Sequence, residues 1–320
     1  MAGIERAASD LVSGSEAMPE RGEKRVDTFA EYHPLINFIY FVMVIGIAMF
    51  YMHPVLLGLS LAGSLAYSIY LKGRKTVKVF LFGMLPACLL MMVINPLFSH
   101  EGATMLFYLK DGNPVTLESI LYGVGSGIML ACVVSWFSVF HAVMTSDKFM
   151  YLFGKVIPAF SLLLSMCLRF VPRFTGQIKK VAQAQQCIGR NVNNGKVWAR
   201  AAHGLKILSV TTTWALENSV ETADSMKSRA YGLRGRTNFS IYRFDRRDAG
   251  LLGFLAGVFV LLMAGIISRK IHILYFPVFI MNALTPAAVL VYSLYGLLCV
   301  LPLLLNIAED IKWRSLRSKI

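Results

Sequence analysis

Long apolar runs alternate with short polar breaks along this chain. The first run covers residues 35–52, is rich in Ile, Phe, Val and Met, and stops at His53-Pro54. The second, 55–71, ends in a basic turn carrying Lys72, Arg74, Lys75 and Lys78, and the third covers 79–98. Residues 99–117 are polar and contain Asp111-Gly112-Asn113-Pro114, a strong turn signal. The fourth run, 118–144, holds Gly123 and Gly127, a spacing that lets a second helix approach closely. After a long interval come 249–267 and 273–307. Pro277, Pro286 and Pro302 interrupt the last run, which reads as an external lead-in followed by one tilted span near 283–306. Apolar stretches of about 20 residues cross a bilayer as helices, because only a helix satisfies its own backbone there. The pattern predicts an all-α, polytopic helical membrane protein with six transmembrane helices and a cytoplasmic helical insert. Four spans fall in 34–144 and two in 249–307. Residues 1–33 are polar and of mixed charge, lack the apolar core of a signal peptide, and read as a mobile cytoplasmic tail.

Composition agrees with this reading. Apolar residues make up 56% of the chain and charged residues 16%, against about 45–50% and about 25% in soluble domains. Mean hydropathy is +0.58. These values exclude a disordered chain, a collagen, a disulfide scaffold and a soluble acidic enzyme. Lys and Arg number 32 against 18 Asp and Glu, for a net charge of +14. Loops rich in Lys and Arg stay on the cytoplasmic side. The turn at 72–78 carries four positive residues and the 99–117 segment only Lys110. Both termini are therefore expected inside, including the basic segment 308–320 with Lys312, Arg314, Arg317 and Lys319. The external Arg269-Lys270 pair is the one feature that fits poorly. The five cysteines, Cys88, Cys132, Cys167, Cys187 and Cys299, form no CxxC pair and read as small apolar side chains.

Residues 145–248 form the insert and hold seventeen Lys and Arg against six Asp and Glu. The stretch 151–173 is nearly apolar but includes Lys155 and Arg169. Were it a span, 205–216 would have to cross back, and that run is too short and contains Lys206. It reads instead as an apolar helix at the cytoplasmic interface or against other helices. A second helix is predicted over 177–190, ended by Gly189, and a third over 197–230, closed by Gly232 and Gly235. Thr211, Ala215, Ser219 and Ala223 recur every four residues on the third, a small-residue row that lets another helix come close. So much apolar helix outside the spans must be covered by something.

No catalytic or metal-binding pattern stands out. There is no H-E-x-x-H or G-x-S-x-G, and the six His are scattered. Gly195-Lys196 is followed by Val197 where a phosphate loop needs Ser or Thr. Glu217, Glu221 and Asp224 sit beside Lys227 and Arg229 and read as helix-surface charges. Glu118 and Glu309 lie at the ends of spans, which argues against a proton relay within the membrane.

Two segments of the insert carry a family resemblance. Residues 224–232, Asp-Ser-Met-Lys-Ser-Arg-Ala-Tyr-Gly, continuing to Arg236-Thr237, resemble the second coupling motif of the T component of energy-coupling factor transporters, the CbiQ-like family. There an Ala-Arg-Gly triplet precedes an aromatic residue, Gly and a basic stretch. Ala184-Gln-Gln-Cys-Ile-Gly189 occupies the place of that family's first motif, usually Ala-Gln-x-Ala-Arg-Gly. The preceding 162–172 stretch and the opening His33-Pro34-Leu35 also fit the family pattern, so the resemblance covers residues 33–310. Ser228-Arg229-Ala230 keeps the triplet's Arg, whereas Cys187-Ile188-Gly189 lacks it. Arg190 follows one residue later, about 100° away on a continuing helix.

The resemblance implies a non-catalytic scaffold subunit with no cofactor of its own. Two ATP-binding-cassette (ABC) ATPase subunits, which hold the ATP and Mg, would dock on the two triplets. A small membrane S component would bind a vitamin or metal ion and slide on the face formed by Phe160, Leu163, Leu164, Cys167 and Leu168. Arg229 would pair with an acidic side chain in an ATPase groove, between the small residues Ser228 and Ala230. Cys187, Ile188 and Gly189 would make an apolar contact at the other ATPase. The lipid bilayer is the remaining partner, and nucleic acid is not expected. Read from the residues alone, three alternatives stay open: the substrate-conducting permease subunit of an ordinary ABC importer, a membrane enzyme with its site in the insert, and a membrane anchor binding nucleic acid through the basic insert.

Overall fold

The computed structural model describes residues 27–99, 101–108, 114–154, 158–189, 197–231, 242–268, 271–281 and 285–317. In chain order the helices are α1 (Thr28–Glu31), α2 (Pro34–Phe50), α3 (Pro54–Lys72), α4 (Arg74–Val79), a π-helical segment (Phe80–Met84), α5 (Leu85–Phe98), α6 (Leu117–Val143), α7 (Ser146–Gly154), α8 (Pro158–Cys187), α9 (Val197–Ser228), α10 (Arg246–Ile267) and α11 (Pro286–Arg317). Strands β1 (Met105–Tyr108) and β2 (Pro114–Thr116) form one antiparallel hairpin, and β3 (Ile273–Leu274) and β4 (Ile280–Met281) another. The chain divides into two units, one reaching Thr145 and resuming at Phe244–Ile320, the other Ser146–Arg243.

The first unit is a helical bundle. Five segments are long and apolar enough to cross a membrane: Pro54–Lys72, Thr76–Phe98, Leu117–Val143, Arg246–Ile267 and Pro286–Arg317. The sixth apolar helix, α2, has 17 residues, or about 25 Å of length, slightly less than the ~30 Å hydrocarbon core. Each of the six predicted runs thus contains a helix, and the protein is a polytopic helical membrane protein. The last span differs in its limits from the predicted 283–306. Its helix begins at Pro286 and passes through Pro302 to Arg317, while its lead-in is the β3–β4 hairpin. The 99–117 segment likewise contains a hairpin. Strands of two to four residues offer too few positions for an alternating pattern to be read.

Most polar side chains described inside the bundle bond to backbone or to one another, as hydrocarbon requires, Asn37 Oδ1 and Ser135 Oγ being without a protein partner. The Tyr40 hydroxyl donates to the Leu298 carbonyl at 3.1 Å, and the Trp136 indole donates to Ser60 Oγ at 2.8 Å. Small residues set the closest approaches. A Cβ at Gly63 would lie 2.8 Å from Cys299 Cβ on α11. Gly123 and Gly127, the predicted close-packing pair, lie against the backbone of α5 at Met91–Met92 and Cys88.

Two of the helices begin in the same way, with His-Pro. His33 Nδ1 accepts the Leu35 N–H and His53 Nδ1 accepts the Val55 N–H, both at 3.3 Å, and Pro occupies the next position. Each imidazole serves as the N-cap that Ser or Asp more often supplies, and Pro suits the first helical position. The acceptor role requires an unprotonated Nδ1. His53 Nε2 meets the Tyr292 hydroxyl at 3.1 Å, and burial pushes the His53 pKa below its usual value, which favours that neutral form.

The expected mobile tail is corrected at its end. Residues 1–26 lie outside the described residues, but Asp27–His33 is docked on the bundle. Phe29 is fully buried, its ring 5.1 Å from that of Tyr40 and 6.4 Å from that of Tyr67. Asn306 of α11 accepts the Phe29 N–H and donates to Asp27 Oδ1 at 2.8 Å, while the Tyr67 hydroxyl donates to the same carboxylate at 2.9 Å. The His33 N–H donates to Asp248 at the start of α10, and the Arg247 guanidinium lies 4.6 Å from the Tyr32 ring. A single Phe in a short, mostly polar stretch gives no sequence sign of such docking.

The second unit comprises α7, α8 and α9. Two helices were predicted over 151–173 and 177–190. Instead residues 151–154 end α7, 155–157 lie outside the described residues, and α8 runs unbroken through Pro172 to Cys187. Pro172 costs one backbone bond and bends the ladder without ending it. Phe174 meets the edge of Trp214 at 5.8 Å, and the Arg173 guanidinium lies 5.6 Å from the same ring, which joins α8 to α9. Of the small-residue row on α9, Thr211 is buried, Ala215 is half-buried, and Ser219 and Ala223 are exposed.

These contacts fix one expectation. Phe29→Ala should lower the unfolding free energy of the detergent-solubilised protein by about 3–5 kcal/mol. Phe50→Ala, at a site 82% exposed, should change it by no more than about 0.5 kcal/mol. Both are read from thermal or denaturant unfolding.

Candidate functional site

The two triplets singled out in the sequence occupy the same structural position. Each closes a long helix of the second unit. Cys187 is the last residue of α8, and Ser228 the last of α9. Ile188 and Arg229 follow as caps. Gly189 and Ala230 then adopt left-handed backbone, with φ of 80° and 60°.

At the end of α9 the turn is a Schellman motif. The Tyr231 N–H donates to the Met226 carbonyl and the Ala230 N–H to the Lys227 carbonyl, both at 3.0 Å. Ser228 Oγ and the Arg229 N–H both donate to the Ser225 carbonyl. At the end of α8 the Gly189 N–H donates to the Gln186 carbonyl at 3.0 Å and the Ile188 N–H to Gln185 at 3.2 Å. These carbonyls of the last turns are therefore occupied, which leaves the side chains as the groups available for recognition. Cys187, Ile188, Ser228 and Arg229 are all exposed, Ile188 to 68%. A cation such as Arg229 also complements the negative end of its own helix.

The third triplet position explains the family's preference for Gly there, since left-handed backbone suits a residue without Cβ. Ala230 adopts it nonetheless, at a cost of about 1–2 kcal/mol. The sequence suggested that Gly232 and Gly235 close α9. The helix ends four residues before Gly232, and residues 232–241 lie outside the described residues. Arg190 also lies outside them. The 100° offset considered for it does not apply, because α8 has already ended at Cys187.

The apolar face upstream lies on α8. Leu163 is 59% exposed, Leu164 half-buried, Cys167 exposed and Leu168 38% exposed. Phe160 lies on the same helix, but its side chain is outside the described residues. The spacing of three, four, seven and eight places all five on one helical face. Among the described residues of this unit only Lys148, Gly154, Ile207 and Thr211 are buried. Leu205, Leu216 and Val220 of α9 are more than 60% exposed. Among the described residues no group of three or more His, Cys, Asp or Glu side chains is arranged to hold a metal ion.

Comparison with known proteins points the same way. No family model matches the chain. It is 26% identical over 209 residues to the energy-coupling factor transporter transmembrane protein EcfT 1 of Listeria monocytogenes, covering 61% of this chain and 76% of the relative. To the EcfT of Listeria innocua it is 26% identical over 249 residues, 72% of this chain and 89% of the relative. A shorter match to the EcfT of Lacticaseibacillus paracasei reaches 32% identity over 108 residues, 32% of this chain and 41% of the relative. These relatives carry the name of the family that the sequence resembles. The chain is a homologue of the energy-coupling factor transporter transmembrane proteins.

The shared turn geometry gives opposite expectations for two substitutions. Ala230→Gly should stabilise the last turn of α9 by up to about 1 kcal/mol. Gly189→Ala should destabilise that of α8 by about 1 kcal/mol. Amide hydrogen exchange over the last turn of each helix reads both.

Proposed function

We propose that this chain is the transmembrane coupling subunit of an energy-coupling factor importer. The ends of α8 and α9 dock into two ATP-binding-cassette ATPase subunits, which bind and hydrolyse ATP with Mg. The chain passes their movement to a small membrane S component that carries a vitamin or a metal ion. Both chain termini and the Ser146–Arg243 unit face the cytoplasm, in keeping with the charge of the loops.

The observation that carries this reading is the repeated turn. Two long helices of one unit each run into a left-handed residue, Gly189 or Ala230, whose N–H donates three residues back, and the two side chains before it are exposed in each. A single geometry presented twice suits two grooves of one kind. The sites differ in chemistry. Arg229 offers five N–H donors in a planar fork suited to a carboxylate, and Ile188 offers only apolar surface. Passing the ATPase movement from the helix ends to the apolar face of α8 needs stiff levers, and continuous helices of 30 and 32 residues provide them. The exposed face of Leu163, Leu164, Cys167 and Leu168, with Phe160, is the sliding surface for the S component. An apolar face containing flexible or small side chains accommodates more than one partner.

In a mild-detergent pull-down, Arg229→Glu is expected to reduce recovery of the ATPase subunits thirtyfold or more. Losing one partner of a buried ion pair costs about 2–5 kcal/mol, and about 1.4 kcal/mol is tenfold. Arg229→Lys should retain part of the recovery. Full recovery with Arg229→Glu would overturn the proposed pairing.

A further inference from the structure

The first unit contains a crevice at the Lys72 end of the bundle, where α3, the α4–π–α5 helix and α6 meet. Its volume is about 50 Å³. Four hydroxyl side chains, Ser68, Thr76, Ser135 and Ser138, line it together with Phe80 and Met84 of the π-helical segment. Three of these hydroxyls are engaged. Ser68 and Thr76 bond to each other, and Ser138 accepts from Lys72 Nζ at 2.6 Å, as does its own carbonyl at 2.8 Å. Ser135 is 6% exposed, and its buried Oγ has no protein hydrogen-bond partner. A buried hydroxyl in that state calls for a partner that the protein itself does not supply.

We propose that this crevice binds one anionic glycerophospholipid, with its phosphate on Lys72 and an ester carbonyl on Ser135. The charge beside the crevice selects an anion. The Lys72 ammonium lies on Ser138, the sequence 72–78 carries four positive residues and no carboxylate, and Asp310 of α11, at the same end of α3, is engaged by the Tyr70 hydroxyl at 3.0 Å. An ammonium has three donors, and two of those of Lys72 are bound to Ser138, so one remains for a phosphate oxygen. The spacing fits as well. Ser135 and Ser138 are three apart on α6, hence about 5–6 Å between their Cβ atoms. A glycerol backbone holds its phosphate and an ester carbonyl on neighbouring carbons, a comparable separation. The crevice admits a small group such as the ester, and the phosphate stays outside beside the ammonium. Continuity with the lipid-facing surface favours a lipid over a soluble phosphate. The most apolar window of Thr76–Phe98 is not buried within the protein, and Val77 and Phe82, beside the lining residues Thr76 and Phe80, are 47% and 79% exposed. Basic pockets between membrane helices are established binding places for anionic head groups.

The test uses the full chain in nanodiscs of phosphatidylcholine doped with phosphatidylglycerol, followed by delipidation and native mass spectrometry. Wild type should retain one lipid and prefer phosphatidylglycerol. Lys72→Gln should lower that preference roughly fivefold, the ratio corresponding to about 1 kcal/mol per basic side chain at a membrane surface. Lys72→Arg should keep it. Ser135→Ala should weaken retention of both lipids alike and leave their ratio unchanged, which separates the two contacts. Thermal unfolding of each variant identifies a misfolded one. The proposal is overturned if no lipid is retained, as for a crevice holding only water. An unchanged lipid ratio in folded Lys72→Gln also overturns it, as does displacement of the lipid by excess inorganic phosphate.

Discussion

In hydrocarbon no water replaces a lost backbone hydrogen bond, and most features of the first unit answer to that constraint. Each apolar run must close its own bonds, so each becomes a helix. The turns between runs must be short or self-satisfied. The chain meets this with His-Pro at the starts of α2 and α3, where an imidazole takes a backbone N–H and Pro removes another. It meets it with small hairpins at the ends of two other connections. Polar side chains within the bundle point inward to carbonyls and hydroxyls, as Tyr40 and Trp136 do. Ser135 Oγ and Asn37 Oδ1 are exceptions, and Ser135, which lines the crevice beside Lys72 and Ser138, is the proposed lipid contact.

The second unit follows different physics. It buries few side chains, and its long helices expose Leu and Val along much of their length. Its defined features are its two helix ends. There the chain enters a left-handed turn just after two exposed side chains, Cys187 and Ile188 or Ser228 and Arg229. The protein tolerates Ala in place of Gly at one of these turns, at a conformational cost. The two backbone hydrogen bonds that the turn closes offset part of that cost. In the proposed function the well-packed bundle anchors the chain and the thinly packed unit transmits movement.

How much was legible in the sequence differs by feature. Hydropathy placed all six apolar helices, because twenty apolar residues admit few other structures. The spacing of Gly123 and Gly127 marked the contact with α5. The triplets were legible through the family motif, but their shared geometry was not, since no pattern of side chains announces Ala230 in a left-handed turn. Continuity through Pro172 was hidden because proline and a change from apolar to polar residues coincide there. The docking of Phe29 and the crevice at Ser135 were also hidden. Both depend on residues distant in sequence, such as Asn306 for the first and Ser68 with Ser138 for the second, and periodicity within one helix does not report them.

The central claim is that the two helix ends are equivalent docking points. Site-specific photo-crosslinking tests it most directly. Cys187 is already an exposed thiol at one end, and Ser228→Cys places one at the matching position of the other. Each is labelled with a thiol-reactive photo-crosslinker, in an otherwise cysteine-free chain expressed in its own host. The account expects both positions to crosslink to ATP-binding-cassette ATPase subunits, and a probe at Cys132, buried in the bundle, to yield none. Crosslinks from only one end, or from both ends to lipid or nucleic acid alone, would contradict it.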